Sequence, residues 1–148
     1  MSDELTPFDK RDLDLFKPRE PVDEVLWSWA EFLKEDPRTN LFTFFEGEEI
    51  LFIAGILHIN NYVCELFLHN SIFVEKKKKT FHNKCVKMLK LVKKSGYSRI
   101  QITVREGHKR GLKWAESLGF NKEGYLPNYD GIGKGVYIFS IPGDDECL

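Results

Sequence analysis

The 148-residue chain holds three cysteines, Cys64, Cys85 and Cys147. An odd number with no C-x-x-C spacing argues against a disulfide framework and against a thiolate zinc site, so no metal centre is expected. No apolar run approaches the roughly eighteen residues that a membrane helix needs. The opening MSDELTPFDK is too polar for a secretory signal. Net charge is only -1, so no global field selects a nucleic acid or a membrane surface as partner. Internal repeats are missing, and low complexity is confined to the lysine run Lys76–Lys79. These absences point to a reducing, cytoplasmic setting with no membrane partner.

What is present is a core. Apolar residues make up 42% and aromatics 14%, which argues against disorder. A chain of this length buries roughly two-thirds of its unfolded surface and needs no staples. One domain over residues 1–143 is expected, with 144–148 as a tail. Charge is uneven, however. The first forty residues are acidic, while Lys76 to Lys94 carries nine lysines and no acid.

Thr6-Pro7 followed by Asp9 reads as a helix start, with Leu13 and Phe16 as its contacts. From Pro21 the stripe Val22, Val25, Leu26, Trp29, Phe32, Leu33 predicts a helix ending at Asp36-Pro37. Trp27 lies off that stripe, either on an exposed shoulder or against a ligand or partner. Leu41–Phe45 is a strand, Glu46–Glu49 turns around Gly47, and Ile50–Ile59 is apolar on both faces, as a covered central strand is. Asn60-Asn61 predicts a tight turn using positive φ. Tyr62–His69 returns as a strand. Asn70–Lys79 is a loop or short helical turn. A helix then runs from Thr80, with Phe81, Cys85, Met88, Leu89 and Val92 inward and Lys84, Lys87, Lys90 and Lys94 in water. Gly96 ends it.

Ile100–Phe120 carries the clearest punctuation. Ile100, Ile102 and Val104 alternate with Gln101 and Thr103, which is a strand with one buried face. The chain breaks at Glu106-Gly107 and resumes as a helix with Leu112, Ala115 and Leu118 on one side. Gly119 and Phe120 form its C-terminal exit. The preceding strand and helix make this a β-α-β crossover with parallel strands. Asn121–Tyr125, the turn-rich Pro127–Gly135 and the strand Val136–Ile141 complete a hairpin. The expected fold is α/β (α+β): a mixed, mostly antiparallel central sheet with helices on both faces.

On the Tyr62–His69 strand, Val63, Glu65, Phe67 and His69 share one face. Glu65 is either an acid raised by burial and poised as a general base, or a solvated edge residue with His69 at a frayed end. Gly131–Gly135 imitates a phosphate loop but lies between strands and precedes no helix, so it reads as a hairpin loop.

The order of elements resembles the GNAT fold, that of the acetyl-CoA-dependent N-acetyltransferases. Leu118-Gly119-Phe120 matches the family's tyrosine-x-x-leucine-glycine-phenylalanine helix ending. Glu123-Gly124 and the Asp130-Gly131 turn also fit, and the resemblance covers residues 40–141. The segment Phe67–Phe81 is similar to that of short GNAT-like proteins encoded by tailed bacteriophages, which would place the chain in a host cytoplasm or a virion. The resemblance implies acetyl transfer from acetyl-CoA to the amine of a small molecule or protein. Glu65, or His69 through water, would act as base, and Tyr125 or water would protonate the leaving thiolate.

The departures bear on the cofactor. The family's R/Q-x-x-G-x-G/A loop corresponds to Lys79-Thr80-Phe81-His82-Asn83-Lys84, so its glycines fall at His82 and Lys84, where a Cβ would crowd the pyrophosphate. The family's asparagine falls at His108 and its tyrosine at Ala115. Lys79, Thr80, His82, Lys84 and His108 are thus the expected cofactor-facing positions. The lysines are a solvated helix face, or they attract CoA phosphates or an acidic partner. Three readings follow: an acetyltransferase; a GNAT-fold binding or structural protein such as a phage virion or host-interaction protein; and, least favoured, a nucleic-acid binder.

Overall fold

The computed structural model describes residues 4–18, 37–129 and 133–144. The helix expected from Pro21, Trp27 within it, the Asp130-Gly131 turn and Cys147 lie outside these. Hydrogen bonding orders seven strands as β1-β2-β3-β4-β5-β7-β6. They are β1 (Glu4–Pro7), β2 (Thr39–Glu46), β3 (Glu49–His58), β4 (Val63–Asn70), β5 (Arg99–Arg105), β6 (Asn121–Leu126) and β7 (Val136–Pro142). Among the described residues the helices are α1 (Asp12–Leu15), α2 (Lys78–Lys93) and α3 (Lys109–Ser117), with a 3₁₀ turn at Ile72–Lys76. The chain forms two compact units, one from Met1–His58 and Leu66–Lys84, the other from Ile59–Glu65 and Cys85–Leu148.

In the first unit β1 and β2 pair antiparallel, Glu4 opposite Phe45 and Pro7 opposite Phe42. Thr6-Pro7 is therefore strand, not the expected helix start. Proline lacks the N–H that a ladder needs, and an edge strand tolerates it. The helical turn begins after Asp9 instead. Asp9 Oδ1 accepts from the Arg11 N–H at 2.9 Å, and Asp12 Oδ2 accepts from the Asp9 N–H at 2.9 Å, a reciprocal cap. Leu13 and Phe16 do reach the core, which holds Phe8, Leu41, Ile50 and Ile53.

β2 and β3 pair antiparallel through a turn at Gly47, whose φ is +63°. Residues 50–55 of β3 are all buried, as the two-sided apolar pattern requires. Phe52 stacks on Phe44 at 4.4 Å and meets Phe81 edge-on at 5.4 Å. α2 starts at Lys78, two residues ahead of Thr80, because Ser71 caps the 3₁₀ turn that leads into it. Lys84 does not project into water as expected; its Nζ lies 5.7 Å above the Phe44 ring.

In the second unit Asn60 Oδ1 accepts from the N–H of Tyr62 (2.8 Å) and of Val63 (3.0 Å). The turn is thus held by a side chain, and neither asparagine takes a positive φ. β4 and β5 pair parallel, as the crossover requires, over Val63–Arg99, Cys64–Ile100 and Glu65–Gln101. Ile100, Ile102 and Val104 are buried. β5 continues antiparallel to β7 along its length, and β7 to β6 with a bulge between Lys122 and Gly124. At the end of α3 the Gly119 N–H donates to Glu116 O and the Phe120 N–H to Ala115 O, with Gly119 at φ +93°. That double bond pattern is a Schellman cap, the exit that Leu-Gly-Phe predicts.

Candidate active site

The parallel β4–β5 ladder stops at Glu65–Gln101, although β4 runs on to Asn70 and β5 to Arg105. Glu65 is half-buried at that last rung. Its Oε1 accepts from Gln101 Nε2 at 2.9 Å. Gln101 Oε1 in turn accepts from Arg99 Nε at 3.0 Å. Arg99 grips Glu123 with two donors, NH1 to Oε2 at 3.0 Å and NH2 to Oε1 at 2.5 Å. The hydrogen bond from Arg99 holds the Glu123 carboxyl below its usual range, and the same bond raises Arg99. Cys64 points into the core, where burial and then the Glu65 charge push its thiol up to about 12. It is packing, not nucleophile.

The turn from β5 to α3 fixes His108. Gly107 takes φ +83°, and His108 Nδ1 accepts from the Gly111 N–H at 2.8 Å. His108 is therefore the N-cap of α3, with Nδ1 committed to that bond. A Cβ at Gly111 would collide with that nitrogen. Ala115 is fully buried on α3. Burial pushes the Cys85 thiol up to about 12, opposed by a contact from Trp114.

Tyr125 sits on the exposed β6 and donates its hydroxyl to Glu106 Oε2 at 3.0 Å. That bond, then burial and the Glu106 charge, raise the phenol, which stays protonated. Glu106 Oε1 also takes the Gly135 N–H at 2.7 Å. The Gly133 N–H donates to Asn128 Oδ1 at 2.7 Å, and the segment continues into β7, a strand and not a helix.

In the first unit His69 stands near the end of β4, its ring 6.4 Å from that of Phe67. Burial lowers it, so it is neutral at neutral pH and able to accept a proton. Lys79, Thr80, His82 and Lys84 all lie inside α2, not in a loop before it. The connection from β4 is Ser71–Lys77, which contains no glycine. The first turn of α2 has no acid. Helix geometry leaves the N–H groups of Lys78, Lys79 and Thr80 without carbonyls behind them, since the Phe81 N–H is the first to reach back, to Lys77 O at 2.9 Å. Two lysines of the run are paired, Lys77 to Glu46 at 2.8 Å and Lys78 to Glu75 at 3.6 Å. That turn suits a phosphate by polarity and charge, but no glycine opens the backbone before it. Among the described residues no acid, cysteine and histidine cluster suits a metal, and no helix is long and apolar enough to cross a membrane.

A protein of Chromobacterium violaceum assigned to the GNAT family of acetyltransferases superposes with a TM-score of 0.77 over 97% of this chain and 84% of its own, at 16% identity. The fold is that of the GNAT acetyltransferases. The same GNAT fold is shared with ribosomal-protein-S18-alanine N-acetyltransferase of Escherichia coli, at a TM-score of 0.69, 16% identity, and 96% and 94% of the two chains. Spermidine N-acetyltransferase SpeG of Vibrio cholerae, as its F149A mutant, gives 0.72, 15%, and 98% and 97%. No family model matches the chain, and no curated protein matches its sequence.

Glu65 stands out in the sequence as a site residue, whereas Arg99 does not, and Gln101, Glu106 and Glu123 are legible there only as parts of a strand, a break and a family match. A signal for two of them was there: Arg99 and Gln101 are the polar half of the β5 alternation and must share a face.

Proposed function

We propose that this chain is an acetyl-CoA-dependent N-acetyltransferase acting on the amine of a small molecule or protein. The observation that carries the reading is Glu65, a half-buried carboxylate at the last rung of the parallel ladder with one oxygen already fixed by Gln101. Neighbours sharing the fold include enzymes named for spermidine and for a ribosomal-protein alanine, both amines.

Acetyl-CoA would supply the acyl group as a thioester. Glu65 takes the proton from the acceptor ammonium, so that the nitrogen lone pair is available to the carbonyl carbon. His69, kept neutral by burial, is the alternative base, acting through water in place of Glu65. As the C–N bond forms and the C–S bond breaks, the nitrogen would release its second proton to water, and the leaving thiolate would take a proton from water or from Tyr125, whose phenol remains protonated. The first turn of α2, with Lys79 and Thr80, provides backbone donors and positive charge for phosphates. His82 and Lys84 lie further along that helix, and His108 spends Nδ1 on its cap. No covalent enzyme intermediate is needed.

A second reading, a GNAT-fold binding or structural protein such as a phage virion or host-interaction protein, is favoured by one observation: the Ser71–Lys77 connection has no glycine. Calorimetry or thermal shift with acetyl-CoA and CoA separates the two. A ligand at one hundred times its Kd should stabilise the fold by about 2.7 kcal/mol. No shift at millimolar acetyl-CoA would sink the acetyltransferase reading.

A further inference from the structure

We propose that Gln101, oriented by Arg99, is a positioning residue that dictates which oxygen of Glu65 works as base. The inference rests on the acetyltransferase reading and adds residues to it. The four side chains lie within one unit and form a single line: Glu123, Arg99, Gln101, Glu65.

The polarity of that line has only one solution. A guanidinium has donors and no acceptor. The atom of Gln101 facing Arg99 Nε must therefore be the amide oxygen, at 3.0 Å. The amide NH₂ is then turned toward Glu65, where Nε2 meets Oε1 at 2.9 Å. An isolated glutamine can flip its amide at little cost. Here a flip would set an NH₂ against a guanidinium and a carbonyl against a carboxylate. Glu123 prevents Arg99 from turning, because it takes two of its donors, NH1 and NH2, and leaves Nε for Gln101. The β6 bulge between Lys122 and Gly124 is where Glu123 leaves the ladder register. Ser140 adds a further hydrogen bond to the same carboxylate.

The consequence falls on Glu65. Its Oε1 is committed to an N–H donor, so Oε2 is the oxygen that receives the acceptor's proton. The donor also holds the carboxylate in one rotamer, and a misplaced catalytic group loses on the order of 100-fold in rate per ångström.

The test is the double charge swap Arg99→Glu with Glu123→Arg. It keeps an ion pair between positions 99 and 123 but presents an acceptor to Gln101, so the amide turns and its carbonyl faces Glu65. The expected result is a thermal midpoint near that of the wild type and a kcat lowered about tenfold, with acetyl-CoA Kd unchanged. Gln101→Leu should lower kcat by a similar factor, and adding it to the swap should cost nothing further. Wild-type kcat in either variant overturns the inference. The orientation is also read without turnover, from the Gln101 side-chain amide resonances in ¹⁵N–¹H spectra. They should move when Glu65 is changed to Gln and when Arg99 is changed to Met. An active chain whose Gln101 amide ignores both changes overturns the inference and leaves the acetyltransferase reading standing. A wild-type chain that acetylates none of a panel of polyamines and peptide N-termini, while the amide responds as expected, overturns the acetyltransferase reading instead.

Discussion

The Tyr125 hydroxyl donates to Glu106 Oε2 at 3.0 Å, and the other oxygen of Glu106 holds the Gly135 N–H. One carboxylate thus ties the β6–β7 hairpin to the end of β5. Glu106→Ala removes both bonds and leaves the buried Gly135 N–H without this acceptor. It should destabilise the fold by about 2 kcal/mol, as measured by urea denaturation. Gly135→Ala acts on the same contact from the other side, since a Cβ there would fall on the Tyr125 phenol. It should be destabilising in the wild type and milder when Tyr125 is also changed to Ser. If Tyr125 protonates the thiolate, Tyr125→Phe lowers kcat without lowering acetyl-CoA affinity; an unchanged kcat assigns that proton to water.

Asp12 and Thr43 form the corresponding polar point of the first unit. Asp12 Oδ2 accepts the Thr43 hydroxyl at 2.7 Å and the Asp9 N–H at 2.9 Å, and both side chains are buried. Removing one partner of a buried hydrogen bond costs the desolvation of the other. Asp12→Ala should therefore cost about 2–3 kcal/mol, whereas Asp12→Ala with Thr43→Val should recover part of it. Denaturation midpoints of the single and double variants check this. A double variant less stable than Asp12→Ala alone would contradict it.

Much of this fold is legible in sequence, and what is not has a common physical origin. Ile100–Phe120 can be read residue by residue because its signals are local: period two, a break at Gly107, a helix stripe, and a glycine at the αL exit. Pro7 misleads because proline suits a helix's first turn and an edge strand equally, and only the presence of β2 decides. Asn60-Asn61 misleads in a smaller way: asparagine serves turns by positive φ or by its side chain, and here it uses the side chain. The α2 start is misplaced by two residues, which moves Lys78 and Lys79 from the preceding segment into the helix. Glu65 stands out as an acid on a mostly apolar strand. Its partner Gln101 is thirty-six residues away, and Glu123 lies two strands further out, beyond β7. Cross-strand pairing of that range leaves no periodicity to read.

His69 predicts a pH dependence of stability. Burial lowers it below the ordinary histidine value, so the folded state binds its proton less readily than the unfolded chain does. Above about pH 6.5 histidine is mostly neutral in both states and contributes no slope. As pH falls through that value the unfolded chain takes up the proton first, and stability declines until the folded pKa is passed. For one proton the slope stays under about 1.4 kcal/mol per pH unit. Urea midpoints measured from pH 7.5 to pH 5 should fall, and His69→Leu should flatten the curve. Glu123 adds a separate loss at lower pH. Its folded value is depressed, so its contribution is present above the ordinary glutamate range and disappears as pH falls through the folded value. A midpoint that stays level between pH 7.5 and pH 5 in the wild type would refute the assignment to His69.

If the chain takes acetyl-CoA as proposed, the first turn of α2 is where its phosphates would go. Lys77 and Lys78 are occupied by Glu46 and Glu75, while Lys76 and Lys79 are exposed beside the helix N-terminus. Each exposed lysine contributes several tenths of a kcal/mol to a nearby phosphate, and reversing two moves binding by about 1.4 kcal/mol, or tenfold in Kd. Lys76→Glu with Lys79→Glu should weaken acetyl-CoA and CoA alike by that factor at low salt. The difference should shrink toward physiological ionic strength, where the screening length is about 8 Å. Calorimetry at two salt concentrations measures both effects. Binding that is unchanged in the double variant removes these lysines from the site; acetyl-CoA would then be held without the charge at α2, and the backbone N–H groups of Lys78, Lys79 and Thr80 would be the remaining donors there.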